Sequence, residues 1–113
     1  ILKMPHMEVS IVETIYLCQY PAINGIEVLD LRKNFIGDEG LEAIAQSPFL
    51  GKLRELDLRS NGITRWGVKT LAESKTLKCL EKIDLRVNKL GKRWEEKLKE
   101  IGNFPKLKEI KTI

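Results

Sequence analysis

Apolar residues recur along this chain with a fixed spacing of 27 positions. Three successive copies carry Leu or Ile at matching places, with no insertion between them. The matching sets are Ile26, Leu53 and Leu80; Leu29, Leu56 and Ile83; Leu31, Leu58 and Leu85; and Ile36, Ile63 and Leu90. A repeat of this length indicates a solenoid, in which each unit buries its apolar side against its neighbours.

Each copy begins with alternating side chains, which predicts a short strand. In the first copy Leu29 and Leu31 are apolar, and the positions around them hold Val28, Asp30 and Arg32. Alternate residues of a strand face opposite sides, so we expect the leucines in the core and the other residues on an exposed face. Stacked copies would pair these strands into a parallel sheet with matching residues about 4.8 Å apart.

A helix is expected in the second half of each copy, where apolar residues show the spacing of an amphipathic helix. The expected inner faces are Leu41, Ile44 and Ala45 in the first copy, Val68, Leu71 and Ala72 in the second, and Trp94, Leu98 and Ile101 in the third. Asp38 and Thr64 precede the first two faces and are expected to be helix N-caps.

An asparagine follows each strand, at Asn34, Asn61 and Asn88. The chain must turn there from the strand toward the helix, and a buried turn needs partners for its backbone N–H and C=O groups. An amide side chain both donates and accepts hydrogen bonds. We therefore expect the asparagines to be structural.

Glycine recurs at the start of the helices, at Gly40 and Gly67. Glycine costs a helix about 1 kcal/mol, so we expect close packing at these positions. Trp94 takes the same position in the third copy, where it must either displace its helix or cap the end of the core; we favour the cap. Trp66 is expected to pack against a neighbouring helix.

The segment before Ile26 follows the pattern loosely and indicates a degenerate repeat. The residues in register with later apolar positions are Leu2, Met4, Val9 and Leu17. A further strand is expected if residues 2–4 pair with the sheet. A helix is expected over residues 9–19, with Val12, Ile15, Tyr16 and Cys18 close to helical spacing.

Written out, the copies read L-x-x-L-x-L-x-x-N-x-I, followed by Gly and, four residues later, by Leu or Ile. This pattern resembles the leucine-rich repeat, and its unit length is similar to the ribonuclease-inhibitor-like subclass. The resemblance implies an α/β fold, a right-handed solenoid forming a horseshoe segment with the parallel sheet on the concave side and helices on the convex side. The implied single domain, 1–113, contains a degenerate repeat at 1–25, full repeats at 26–52, 53–79 and 80–106, and the start of a fourth strand at 107–113.

The resemblance also implies a function, that of a non-catalytic module which binds a protein partner on the concave sheet face. Carried over by position, the expected contact residues are Asp30, Arg32, Glu55, Asp57, Arg59, Lys82, Asp84 and Arg86. Their Asp and Arg columns lie side by side, so opposite charges would offset the repulsion within each column. The face lacks an aromatic side chain, the residue type that often anchors an interface.

No catalytic, cofactor or metal site is expected. His6 is the only histidine, and Cys18 and Cys79 do not have the spacing of zinc ligands. The two cysteines lie two to three repeats apart, which is too far for a disulfide. Two reduced cysteines are typical of a cytoplasmic protein, and no apolar run reaches the roughly 20 residues needed to span a bilayer.

Two alternative functions stay open. The chain begins and ends within strand positions, which is consistent with a segment of a longer structural scaffold, or with a solenoid that self-associates through its open ends. The other alternative is binding to an anionic surface or nucleic acid through the basic C-terminal helix. Residues 69–113 hold thirteen Lys and Arg against seven Asp and Glu. Glu95, Glu96 and Glu100 interrupt this basic segment, so nucleic acid is the less favoured partner.

Overall fold

The structure is a computed structural model that describes residues 1–88, 90 and 92–112. Strands and helices alternate along this part of the chain. They are β1 Leu2–Lys3, α1 Ile11–Cys18, β2 Val28–Asp30, α2 Gly37–Gln46, β3 Glu55–Asp57, α3 Arg65–Ala72, β4 Lys82–Asp84, α4 Arg93–Ile101 and β5 Glu109–Lys111. A short 3-10 helix, Pro21–Ile23, links α1 to β2. None of the helices in the described ranges is long and apolar enough to cross a bilayer.

The strands form one sheet in the order β1-β2-β3-β4-β5, and every neighbouring pair is parallel. Paired residues occupy equivalent positions of successive repeats throughout, so the central column contains Leu2, Leu29, Leu56, Ile83 and Ile110. This sheet, with helices connecting its strands, confirms the predicted α/β solenoid segment and the strand expected in the degenerate repeat. The right-handed sense of the connections remains a prediction.

The hydrophobic core lies between the sheet and the helices. Leu29 and Leu56 are each 2% exposed, and Leu31 and Leu58 are completely buried. The expected helix faces of the first two copies are also buried, at Leu41, Ile44, Ala45, Val68, Leu71 and Ala72. Burial of each large apolar side chain contributes about 1.5–3 kcal/mol, so these columns are the main source of stability.

The asparagine column forms a ladder of hydrogen bonds, as predicted. Nδ2 of Asn88 donates to the carbonyl oxygens of Leu58 at 2.9 Å and Leu85 at 3.0 Å. Its Oδ1 accepts from the backbone N–H groups of Asn61 at 2.8 Å and Ile63 at 3.0 Å. The other two asparagines likewise donate to backbone carbonyls and accept from the preceding repeat. The ladder ties each repeat to the one before it.

The residue before each asparagine has a left-handed backbone conformation. The φ angles are 55° at Lys33, 56° at Ser60 and 60° at Val87. This conformation costs most L-residues about 1–2 kcal/mol and is unusual for a β-branched side chain. The ladder therefore places backbone strain at Val87.

A second, unpredicted ladder joins the C-terminal ends of the helices. The hydroxyl of Ser47 donates to the carbonyl of Cys18 at 2.6 Å, and that of Ser74 donates to the carbonyl of Ala45 at 2.7 Å. Both serines are buried, and they occupy equivalent positions of successive repeats. The same register that revealed the asparagines could have revealed them.

Asp38 does not cap its own helix, contrary to the prediction. Helix α2 begins one residue earlier, and its N-cap position, Ile36, has helical backbone angles and makes no side-chain hydrogen bond. The Asp38 carboxylate instead accepts from the backbone N–H of Thr64 at 2.7 Å and from its hydroxyl at 2.5 Å. Thr64 caps α3 as expected and accepts from the N–H of Trp66 at 3.3 Å.

Gly40 and Gly67 are buried at points of close approach, as predicted. A Cβ at Gly40 would lie 2.7 Å from the Cβ of Ile36 and 3.5 Å from the Cγ2 of Thr14 on α1. A Cβ at Gly67 would collide with the carboxylate of Asp38 on α2. Gly67 therefore lets α3 approach α2, whereas the tight contact at Gly40 is with Ile36 at the start of the same helix.

The predicted inner face of the third helix is wrong at Ile101, which is 53% exposed. The register places Ile101 in the column of Ser47 and Ser74, where the helices end. Phe104, one repeat after Leu77, fills the core at this level and is 9% exposed.

The predicted apolar face of the first helix is also wrong at Val12 and Tyr16, which are 60% and 71% exposed. The buried residues of α1 are Thr14 and Cys18. Helix α1 packs against α2 on that side, and no helix of the described ranges covers the opposite side.

The side chain of Trp66, which was expected to pack against a neighbouring helix, is 61% exposed. Trp94, at the glycine position of the third copy, is half-buried and packs against the core. Helix α4 lies less closely against α3 than α3 lies against α2. This looser packing agrees with an outward displacement of α4 by Trp94, the alternative to the favoured cap, and it leaves Trp66 uncovered.

Candidate interaction site

The predicted contact residues lie on the sheet face opposite the core. They occupy β2, β3 and β4 or the second position after each strand: Asp30, Arg32, Glu55, Asp57, Arg59, Lys82, Asp84 and Arg86. The parallel register sets Glu55 beside Lys82, and it sets Asp57 between Asp30 and Asp84. Strand alternation therefore brings all eight residues together, as predicted; whether a partner contacts them remains a prediction.

Within each repeat, the aspartate holds the arginine two residues later. Oδ1 of Asp57 accepts from the backbone N–H of Arg59 at 3.2 Å and from its Nε at 3.0 Å, and Oδ2 accepts from Nη2 at 2.7 Å. Asp84 holds Arg86 through corresponding bonds. Such paired bonds between a guanidinium and a carboxylate are strong and directional, so they fix the rotamers of both side chains.

The pairs also connect across the strands. Nε of Arg32 lies 3.9 Å from Oδ2 of Asp57, and Nε of Arg59 lies 3.3 Å from Oδ2 of Asp84. Lys111 follows Asp84 in the aspartate column. The predicted Asp–Arg lattice therefore exists, and its opposite charges neutralise each other along the sheet.

The side chains of this lattice are partly buried. Asp30 is 10% exposed and Arg59 is 31% exposed. Burial raises the pKa of Asp84, but hydrogen bonds from Arg86 and the charge of Arg59 outweigh it and hold that pKa below its ordinary value. The hydrogen bond to Asp57 raises the pKa of Arg59. The lattice is thus a charged, rigid surface rather than a set of freely solvated side chains.

The neighbouring column carries the more exposed charges. Nζ of Lys82 lies 3.5 Å from Oε1 of Glu55, with side chains 56% and 40% exposed. Nζ of Lys111 lies 3.0 Å from Oε1 of Glu109. Ion pairs with this exposure contribute little to stability, so their charges are available to a partner.

Together these columns line an open depression of about 320 Å³ on the sheet face. Its charged lining residues are Lys3, Asp30, Glu55, Asp57, Lys82, Asp84, Glu109 and Lys111. The arginines of the lattice are not part of this lining. A partner entering the depression would therefore meet the aspartates and the Glu55–Lys82 pair first.

Sequence reasoning missed another charged column, directly before the strands. Arg54 donates from Nε to Glu81 at 2.7 Å and from Nη1 to Glu27 at 3.3 Å, and Nζ of Lys108 lies 3.2 Å from Glu81. Hydrogen bonds from Arg54 and Lys108 lower the pKa of Glu81. These four residues occupy equivalent positions of successive repeats with alternating sign, a signal that was present in the sequence.

The basic C-terminal helix is arranged differently from the lattice. Lys92, Arg93 and Lys99 are exposed on or beside α4, whereas Lys89 lies outside the described residues. Glu95, one of the acids interrupting this segment, accepts from the backbone N–H of Thr112 at 2.8 Å. No ion pair joins the cations of α4 to an acid within the described ranges.

Cys18 and Cys79 are both free, which confirms that they are not bridged. Burial raises the pKa of Cys18 to about 12, so its thiolate is scarce at neutral pH. Within the described part of the chain, no cluster of three His, Cys, Asp or Glu side chains could hold a metal ion.

The repeated unit agrees with a known family. A family profile described as Leucine Rich repeat matches residues 26–45 and 52–72. Both segments therefore match the leucine-rich repeat. They contain β2 with most of α2, and β3 with all of α3. Because β4 and α4 continue the same arrangement, the fold is a leucine-rich-repeat solenoid segment. The ribonuclease-inhibitor-like subclass remains a prediction. Comparison with curated protein sequences gave no match.

Proposed function

We propose that this chain is a non-catalytic module that binds a protein partner on its sheet face. Leucine-rich repeats are generally protein-interaction modules. The observation that supports this face is the Asp–Arg lattice, whose side chains are held by one another in a single arrangement. Immobilising a flexible side chain on binding costs about 0.5–1.5 kcal/mol of conformational free energy. The side chains of this lattice are already immobilised in the free chain, so binding would not incur that cost.

The lattice arginines are poor choices for testing this proposal. Arg59→Glu would place a third carboxylate against Asp57 and Asp84, which Arg59 now neutralises. Loss of binding could then follow from loss of folding. A change that keeps the local ion pairs intact is needed.

The Glu55–Lys82 pair permits such a change. Exchanging the two side chains, Glu55→Lys with Lys82→Glu, preserves the ion pair and the net charge but reverses the charge pattern offered to a partner. Glu42 and Lys69 provide a matched control, because they also occupy equivalent positions of successive repeats, are both exposed, and lie on the outer helices.

The test is an affinity capture from an extract of the source organism with the intact chain, quantified by mass spectrometry. We expect proteins that are captured by the wild type and by the Glu42→Lys/Lys69→Glu control to be lost with the sheet-face exchange. Equal capture by all three chains would reject the sheet face as the binding site. Unchanged thermal midpoints would show that folding is not the cause.

A further inference from the structure

A groove opens beside the sheet face, between the starts of α3 and α4. Its volume is about 750 Å³, and its apolar lining is formed by Trp66, Val87, Leu90 and Trp94. Trp66 and Val87 are 61% and 74% exposed. Exposed aromatic side chains in a concave surface are the usual anchors of a protein interface, and the sheet face has none.

The groove results from one position in the repeat. Gly67 allows α3 to lie close to α2, whereas Trp94, at the equivalent position, holds α4 away from α3. Ile36 and Ile63 are at most 1% exposed, but Leu90, the equivalent residue of the third copy, is only partly buried. Trp94 therefore leaves Leu90 partly exposed, whereas the equivalent apolar residues of the earlier repeats are buried.

The polar contact that joins α2 to the start of α3 has no counterpart among the described residues between α3 and α4. Between α2 and α3, the carboxylate of Asp38 accepts two hydrogen bonds from Thr64. The residue equivalent to Asp38 in the next repeat is Arg65, which cannot accept a hydrogen bond. Its guanidinium carbon lies 5.5 Å from the ring centroid of Trp66. The α3–α4 junction has a cation where the α2–α3 junction has a carboxylate.

A second cation flanks the other indole. Nζ of Lys97 lies 5.0 Å from the ring centroid of Trp94. Neither Arg65 nor Lys97 has an ion-pair partner among the described residues. Of the three acids of α4, Glu95 accepts a hydrogen bond from the N–H of Thr112, and Glu96 and Glu100 are exposed. Arg65 and Trp66 thus line one wall of the groove, and Trp94 lines the other with Lys97 beside its ring but outside the lining. Neither cation has an ion-pair partner in the described ranges.

We propose that this groove binds an acidic peptide segment of a partner protein, in which carboxylates flank a large apolar side chain. The apolar side chain would enter between the indoles and cover Leu90. The flanking carboxylates would pair with Arg65 and Lys97, which are already oriented by their rings. This site differs from the sheet face, and the proposal does not depend on it.

The test begins with a displayed library of random short peptides selected on the intact chain. Selected peptides are then titrated against the Trp66→Phe variant, in which Trp94 is the only tryptophan and its emission reports occupancy of the groove. We expect sequences with Asp or Glu around an aromatic or aliphatic residue. Trp66→Ala and Arg65→Glu should each weaken their binding at least about tenfold.

Matched controls separate this groove from other surfaces. Tyr16→Ala removes an aromatic residue of α1 that is 71% exposed, and Lys69→Glu reverses an exposed cation on α3. Neither change should alter the affinity. The double variant Arg65→Glu/Lys97→Glu should regain affinity for a peptide whose acids are replaced by lysines.

Several outcomes would overturn the proposal. Selection of basic peptides would overturn it, and so would acidic peptides that bind the Trp66→Ala variant with unchanged affinity. A dimer of the free chain that Trp66→Ala dissociates would show that a second copy covers the groove. Binding of phosphate-rich oligonucleotides in place of peptides would show an anionic-polymer site.

Discussion

Replacing Asn88 by Ala should destabilise the protein more than the same change at Asn61. Asn88→Ala removes the acceptor of two backbone N–H groups, those of Asn61 and Ile63. It also removes the donor to three carbonyl groups, those of Leu58, Leu85 and Arg86. The Arg86 carbonyl keeps the backbone N–H of Ser60 as a donor. The other four groups belong to residues that are at most 3% exposed, so bulk water does not replace the lost bonds.

The groups around Asn61 keep more of their partners. The Leu31 carbonyl, which accepts from Asn61 at 2.9 Å, also accepts from Nδ2 of Asn34 at 2.9 Å. The Arg59 carbonyl also accepts from a backbone N–H of the preceding repeat at 2.8 Å. The N–H of Ile36 loses its acceptor, but that bond is long, at 3.5 Å.

A buried polar group without a partner costs about 1–3 kcal/mol, so four such groups set an upper bound of roughly 12 kcal/mol. A water molecule in the space left by the amide would serve several of them. We therefore expect Asn88→Ala to lower the free energy of unfolding by about 3–5 kcal/mol and Asn61→Ala by about 1 kcal/mol. The first loss is a large part of the roughly 5–15 kcal/mol expected for a whole domain.

Urea unfolding followed by circular dichroism and tryptophan emission measures both losses. Asn103→Ala, at an exposed asparagine, is the matched control and should change stability by less than about 0.5 kcal/mol. Equal losses at Asn61 and Asn88, or a larger loss at Asn61, would refute the reasoning from hydrogen-bond partners. The comparison requires m-values that match the wild type.

Three further changes test separate features. Val87 has a φ of +60°, so Val87→Asn should raise the free energy of unfolding by about 1 kcal/mol; an unchanged or lower urea midpoint would contradict this. Burial raises the pKa of Asp84, but hydrogen bonds from Arg86 outweigh it and hold that pKa below its ordinary value of 3.8. Asp84 therefore stabilises the fold above that pH, and this contribution is lost as the pH falls below it. The free energy of unfolding of Asp84→Asn should therefore fall less steeply with decreasing pH than that of the wild type. An unchanged dependence of stability on pH would exclude this role. Burial raises the pKa of Cys18 to about 12, so a thiol reagent at neutral pH should modify Cys79 first, as followed by mass spectrometry; faster modification of Cys18 would argue against its burial.

The repeat register explains why much of the fold could be predicted from the sequence. A single, constant repeat length was enough to assign the buried strand columns, the parallel pairing and the role of Asn34, Asn61 and Asn88. The same register also contains the Ser47–Ser74 ladder and the column that includes Arg54 and Glu81. Those signals were present, but their residue types are neither uniform nor apolar.

Other features depend on contacts between repeats that local patterns do not contain. Asp38 has the sequence of a helix cap, yet its hydrogen bonds go to Thr64 on the next repeat. Trp66 is uncovered because of Trp94, a residue of the following repeat that moves a different helix. The left-handed positions Ser60 and Val87 share no side-chain chemistry, so their backbone conformation was not apparent.

In the candidate site, too, the sequence predicted where residues lie but not the contacts that their side chains make. Alternation within the strands was sufficient to place Asp57 and Arg59 on the exposed face. The bonds from Arg59 to both Asp57 and Asp84 depend on side-chain rotamers and strand spacing. The groove between Trp66 and Trp94 could not be anticipated, because it is the space left by a displaced helix.

The most direct test of the central claim is the affinity of the chain for a purified protein partner, measured by calorimetry before and after the Glu55–Lys82 exchange. If the partner binds the sheet face, the exchange should weaken binding at least about tenfold. The Glu42–Lys69 exchange should leave the affinity unchanged. Equal affinities for the wild type and the sheet-face variant, with both chains fully folded, would contradict the account.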